Sequence, residues 1–242
     1  GVGGGNALVG AVNFRTYNVD DLITGNKNWG GFATATYGTN RAGWSEAAIG
    51  AYRFNDSFAV LGGISKRDPG NYKNANGEVV PFTESDKIAG LFKVEFTPTD
   101  EHRLILGANI LNDEFLANSY YQTIKSRTFN LSYTYKPTDN DLVDFAANAY
   151  RTQLLMNYDY IPLIGGGGSA RGREIDNVGT GFDVSNTSRF SFGGVDVKAN
   201  YGVEYFADDY NVINSAAVPD RGVNGSGDNA NYSVFSSTQL SY

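Results

Sequence analysis

One pattern restricts this chain more than any other: apolar and polar residues alternate strictly over long runs. In residues 195–206, VDVKANYGVEYF, Val195, Val197, Ala199, Tyr201, Val203 and Tyr205 share one face, and Asp196, Lys198, Asn200, Gly202 and Glu204 share the other, with Phe206 the apolar exception. A helix would scatter such positions around its axis, whereas a strand sends them to opposite sides. The pattern recurs where Ile88, Phe92, Val94 and Phe96 oppose Lys87, Lys93, Glu95 and Thr97. It recurs again at Leu104, Leu106, Ala108 and Ile110, at Phe129, Leu131, Tyr133 and Tyr135, and at Val143, Phe145, Ala147 and Ala149 against Asp144 and Asn148. With 30 Gly, 16 Tyr and 15 Phe and few helical patterns, the chain reads as all-β.

Strand length separates the β architectures. Ten strands are expected near 29–37, 44–54, 57–66, 86–97, 103–112, 123–135, 142–154, 177–191, 195–206 and 231–242. They run to roughly 10–14 residues, against about 5–6 in ordinary globular sheets and about 9–11 for a tilted strand that crosses a bilayer. Links alternate as well. Those at 55–57, 98–102, 136–141 and 192–194 are short, and those at 38–43, 67–85, 113–122, 155–176 and 207–230 are mostly longer. Short turns on one rim and long loops on the other describe an antiparallel transmembrane β-barrel, the one sheet that satisfies every backbone group in lipid. In that reading the apolar faces meet lipid. The inward Asp144, Asn148, Asp196, Lys198 and Glu204 line a wet lumen or touch a plug, and Trp29, Tyr37, Trp44, Tyr52, Tyr135 and Tyr242 supply the interfacial aromatic girdles.

Composition closes other routes. A net charge of −7 argues against nucleic acid, which needs a dense basic surface. The chain has no Cys and a single His, so neither thiolate nor multi-His metal sites are expected. The longest apolar stretch, 58–64, is too short for a spanning helix, and GVGGGNALVGAV has no basic start or cleavage site of a signal peptide. His102, in PTDEH, reads as a solvated residue of a periplasmic turn. No Ser–His–Asp arrangement forms around it, and pairs such as Asp139/Asp141 and Asp208/Asp209 fall in turns and loops, so no catalytic residues are assigned. The glycines of 164–173 lack the strand and helix of a phosphate loop and read as an extracellular loop. Asp208, Asp209, Asp220 and Asp228 fit no calcium-loop spacing and read as solvated acids.

Residues 1–16, GVGGGNALVGAVNFRT, do not read as a strand. Gly5, Ala7, Leu8, Gly10, Val12, Asn13, Phe14, Arg15 and Thr16 resemble the closing segment of the plug domain of TonB-dependent outer-membrane receptors, with Asn6 departing from the usual small residue. VDDLI at 19–23 is similar to that family's plug-to-barrel linker. Gly172-Arg173-Glu174, GFDVSNTSRF at 181–190 and YGVEYF at 201–206 resemble the mid-barrel of its haem and haemoglobin receptors. The resemblance implies a domain division: 1–24 as the end of the plug and its linker, and 25–242 as the first part of a barrel of about 22 strands. It implies a fragment, without the TonB box, most of the plug or the later strands, where this branch carries a Phe-Arg-Ala-Pro-type motif and a ligand His. The alternation from Tyr232 to Tyr242 resembles a closing barrel strand, but a plug remnant has no role in a closed ten-stranded barrel.

The function so implied is active uptake of haem or haem-iron from haem, haemoglobin or a haemophore, across the outer membrane of a Gram-negative bacterium. The partners implied are the TonB complex, a haem-carrying protein and the lipid bilayer. Haem is cargo, with no intrinsic cofactor. Tyr120, Tyr121, Tyr158, Tyr160 and Tyr210 sit at strand tops or in long loops, where a planar apolar face with a hydroxyl suits a porphyrin or a protein partner. Arg171 and Arg173 could pair with propionates or acidic partner residues. An upper girdle and solvated loop charges are the plainer reading of the same residues. A ferric-siderophore or other nutrient receptor is the alternative within the family, and a non-transporting adhesin or scaffold barrel the alternative outside it.

Overall fold

A computed structural model describes residues 15–40, 42–117, 120–160, 173–214 and 225–242. Among the described residues one four-residue helix, α1 (Val19–Leu22), precedes ten strands: β1 (Trp29–Gly38), β2 (Gly43–Asn55), β3 (Phe58–Asp68), β4 (Ser85–Thr99), β5 (His102–Ala117), β6 (Tyr120–Tyr135), β7 (Phe145–Tyr160), β8 (Arg173–Phe192), β9 (Val195–Asn214) and β10 (Gly227–Ser241). They form one sheet in sequence order, antiparallel at every pairing. The expected ten-strand, all-β architecture is what the chain adopts.

The α1 helix decides which side of the sheet is inner. Val19, wholly buried, packs with Ile23 against Ala51, Ala59 and Leu61, all on one face. The register carries that face across the sheet: Leu61 pairs with Lys93, Lys93 with Gly107, Gly107 with Asn130, Asn130 with Tyr150, Tyr150 with Gly181 and Gly181 with Phe206. The opposite face carries the exposed Phe92, Phe96, Leu106, Phe129, Leu131, Phe182 and Val203. So many exposed large apolar side chains on one face would be an aggregation surface in water; here they are the lipid-facing wall.

Cross-strand rows climb relative to that wall. Trp29, at the foot of β1, shares a row with Leu131 and with Phe182, which lies midway along β8. This stagger is what strands tilted to the axis of a closed barrel must show. The aromatic girdle follows it. Tyr37 packs on Trp44 with centroids 5.1 Å apart at the top of β1 and β2, and Tyr52, Phe54 and Phe58 cluster at the lower end of β2 and β3. The tight β8–β9 turn uses Gly193 and Gly194 at φ +60° and +82°, the left-handed pair that a two-residue hairpin demands.

Strands extend into three of the expected links: 113–117 and 120–122, 155–160 and 173–176, and 207–214 and 227–230 are all strand, because β5 to β10 continue upward. Above the bilayer no lipid enforces alternation, so 153–158, QLLMNY, keeps its ladder while losing its period. Asp208, Asp209 and Asp228 are therefore strand residues, with Asp209 and Asp228 register partners. β7 starts later than 142, since the Asp144 N–H takes the Asn186 side-chain oxygen at 3.0 Å in place of a ladder bond. His102 is not a solvated turn residue. It begins β5, its Nδ1 lies 2.7 Å from the Tyr133 hydroxyl, and its ring stacks on Tyr135 at 4.4 Å, within the lower girdle.

Candidate functional site

Two regions of the inner face concentrate chemistry. At the lower end the segment 15–23 is docked on the wall by charge as well as by apolar burial. Asp20 sits between two arginines: Arg53 Nη2 donates to it at 2.8 Å and Arg103 Nη2 at 3.2 Å. Arg103 also donates to Glu95 at 2.6 Å, and Glu95 in turn accepts the Val19 N–H at 3.0 Å. Lys93 Nζ donates to the Asn18 side-chain oxygen at 2.6 Å and to the Thr16 carbonyl at 3.4 Å. Lys93 and Glu95 are buried under the segment. Buried charges persist when each has a partner, and here every one does. Within the segment, Arg15 bonds both oxygens of Asp21 at 2.6 and 3.0 Å, and this guanidinium, with the Asn18 N–H, holds the Asp21 carboxyl down at about 2. Alternation marked Lys93 and Glu95 as wet-face residues. What they bind comes from a segment some 75 residues away in sequence, a pairing that no local pattern could announce.

The upper inner face is built differently. Ile124, Met156, Ile175 and Val212 are consecutive register partners and form an apolar row across β6 to β9. Directly above it Arg173 lies over the Tyr158 ring, 4.4 Å from its centroid, and the Tyr158 hydroxyl reaches Met156 Sδ at 3.6 Å. A flat apolar ledge capped by a guanidinium suits a planar hydrophobic ligand with an acidic edge.

The expected ligand residues separate. Tyr158 and Arg173 share the ledge, and Tyr210 stands on the same inner face beside Asn177. Tyr121 stands on the outer face, where its hydroxyl donates to Glu114 at 2.9 Å. Tyr120 and Tyr160 are register partners in the backbone ladder. Arg171 lies outside the described residues, as do 1–14 of the plug-like motif. The five expected lumen residues all fall on the inner face. Asn148 accepts from Ser132 at 2.7 Å and donates to Asp183 at 3.0 Å, Asp144 accepts from Arg189 at 2.8 Å, and Asp196 accepts from Ser191 at 2.5 Å. Glu204 pairs in register with Asp183, and Lys198 with Arg189.

No family model matches the chain. A heme transporter, BhuA, from Brucella abortus is 33% identical over 103 residues, which is 42% of this chain and 15% of that protein. The hemophore receptor HasR of Serratia marcescens, solved with its hemophore HasA and heme, superposes with a TM-score of 0.83 at 25% identity, over 94% of this chain and 33% of that one. The FrpB iron transporter of Neisseria meningitidis superposes at 0.67 and 22%, over 84% of this chain and 32% of its own. Fold and docked linker together define a wall section of an outer-membrane receptor barrel. In fold and, over 103 residues, in sequence the chain is similar to these outer-membrane receptors and transporters, and it spans about a third or less of their length.

Proposed function

We propose that the whole receptor imports haem or haem-iron, with residues 1–24 as the end of its plug and linker and 25–242 as the first part of its barrel. The observation that carries the reading is the likeness to HasR along almost the entire chain, supported by the sequence match to a heme transporter. In this reading haem is cargo, delivered free or by a carrier protein. The Tyr158–Arg173 ledge, with Tyr210 nearby, meets the porphyrin or its carrier above the membrane. A plug fills the space in front of the inner wall, and energy coupled through TonB displaces part of it. Asp144, Asn148, Asp183, Asp196, Lys198 and Glu204 then offer a polar surface along which cargo descends. The docked segment 15–23 gives the moving plug a fixed end.

The test is growth of an iron-starved strain whose other haem receptors are deleted, with the full-length receptor restored and haem as the sole iron source. Growth that depends on TonB is expected. Uptake of a ferric siderophore with no uptake of haem would overturn the haem assignment and leave the barrel untouched.

A further inference from the structure

Alternation gives every strand an inner face, but that face is not of one chemistry. Register partners form rows that run across it. One row reads Phe32, Ile49, Gly63 and Leu91 on β1 to β4, then Asn109, Thr128, Thr152, Gly179 and Asp208 on β5 to β9. The row above it carries Ala47, Ser65, Ala89 and Leu111 on β2 to β5. At this height the wet inner face expected from alternation begins only at β5.

The two rows enclose an open groove of about 570 Å³ whose lining holds no charged side chain. Bulky Phe32, Ile49, Leu91 and Leu111 stand in it among the small Ala47, Gly63 and Ala89. Tyr17 of the docked segment reaches into it, edge-on to Phe32 with ring centroids 5.8 Å apart. The groove therefore continues the interface that holds 15–23. Apolar surface of this extent facing a wet lumen costs free energy unless something covers it.

A cover of matching chemistry and length adjoins it. The described residues begin at Arg15, two positions before Tyr17, and the eight residues ahead of them, ALVGAVNF at 7–14, carry no charge. Extended, they reach roughly 26 Å at about 3.3 Å per residue, and the groove, from Phe32 on β1 to Ser126 on β6, spans roughly 24 Å at about 4.8 Å per strand spacing. A period of two puts Leu8, Gly10, Val12 and Phe14 on one face and points the backbone N–H and C=O groups sideways, toward the rest of a plug.

We propose that residues 7–14 lie along this groove as a clamp that stays in place, and that the plug parts from the inner wall on the β6–β9 side alone. The inference rests on residues 1–24 being the end of the plug. Separating the clamp from β1 to β4 exposes apolar surface on both partners, whereas the amide and hydroxyl groups of β6 to β9 exchange plug for water at small net cost. A pull on the plug therefore opens the polar side first, and the cargo path is one-sided.

The test places a benzoylphenylalanine photo-crosslinker at Ala89 of the full-length receptor in cells, or at Leu111 should the first not fold, with heat-modifiable migration as the check of folding. Crosslinks to 7–14 are expected, in equal yield with and without TonB. In a full-length receptor otherwise free of cysteine, Thr152→Cys should gain at least fivefold in maleimide labelling when TonB and the iron source that supports growth are both present, and Ala47→Cys should not change. Crosslinks to other segments only, or their loss when TonB is present, would overturn the clamp. Equal gains at both cysteines, or a gain at neither, would overturn the one-sided opening. The crosslinks do not depend on what is carried, and the labelling uses whichever iron source supports growth, so a failure of the haem assignment shows in the growth test alone.

Discussion

Arg103 and Glu95 are joined by a 2.6 Å charge-assisted hydrogen bond between β5 and β4, and the same carboxylate accepts the Val19 N–H at 3.0 Å. Glu95 thus holds the linker helix with one oxygen and Arg103 of the wall with the other, its side chain only 7% exposed. Glu95→Ala leaves the Val19 N–H and Arg103 without this acceptor, at a cost of about 1–3 kcal/mol in docking the segment. Glu95→Gln keeps one acceptor oxygen and costs less. Peptide-level hydrogen exchange over 17–24 in the full-length receptor should rise in that order, and equal protection in wild type and Glu95→Ala would refute the role.

Gly30 tests the same docking from the apolar side. A Cβ at this position would overlap the Leu22 carbonyl oxygen; that oxygen is backbone and a Cβ is fixed by its own backbone, so neither can yield by changing rotamer. Gly30→Ala should therefore lift α1 from β1 and weaken the contact of Val19 with Leu61. The expected readout is faster exchange of 19–23 with the barrel's heat-modifiable migration intact. A protected helix in the Ala variant would show that the wall can move instead.

Facing can be read by charge. Leu131 points to lipid and Ser132, its neighbour on β6, to the inner side, where it donates to Asn148 at 2.7 Å. Leu131→Arg should lower folding stability by about 2–4 kcal/mol in a bilayer, as an arginine near the midplane does. Ser132→Arg should cost distinctly less. Urea titration of folding into vesicles measures both, and equal losses would contradict the two-sided wall.

The Tyr158–Arg173 ledge makes a ligand prediction that rests on the proposed cargo. Removing the guanidinium in Arg173→Ala forfeits a cation–π contact worth about 0.5–1 kcal/mol and any pairing with a propionate. Haem affinity of the full-length receptor should fall by at least threefold, with Tyr158→Phe nearly neutral because the ring stays. Haem titration followed by absorbance checks this, and an unchanged affinity in Arg173→Ala would take the ledge out of the binding site.

Acid should loosen the linker. The Asp21 carboxyl is held at about 2 by Arg15 and the Asn18 N–H, below the ordinary value near 3.9. A carboxyl lowered in the folded state stabilises it fully above the unfolded value, and the effect is lost as pH falls through about 2. A spin label at Gly25 should therefore gain mobility between about pH 4 and 2, and in Arg15→Ala the transition should move upward toward the ordinary carboxylate range. A transition that stays where it was would exclude the Arg15–Asp21 pair as its source.

Much of the wall was legible residue by residue. Alternation at Leu104, Leu106, Ala108 and Ile110 named the lipid face of β5 without coordinates, because lipid on one side and polar contacts on the other impose a period of two. The tops of β7, β8 and β9 were not legible. Leu154, Leu155 and Met156 run together there, and backbone pairing alone continues the strand. His102 misled for a related reason: a polar turn sequence hides a residue that stacks on Tyr135, 33 positions later in sequence.

Local chemistry along the chain determined that it forms tall, two-faced antiparallel strands, since side-chain alternation and hairpin residues act over a few positions. Tertiary structure alone decided that Asp20 sits between Arg53 and Arg103 and that Glu95 caps the linker helix. Those juxtapositions depend on strand register and stagger, which accumulate across the sheet from every pairing together.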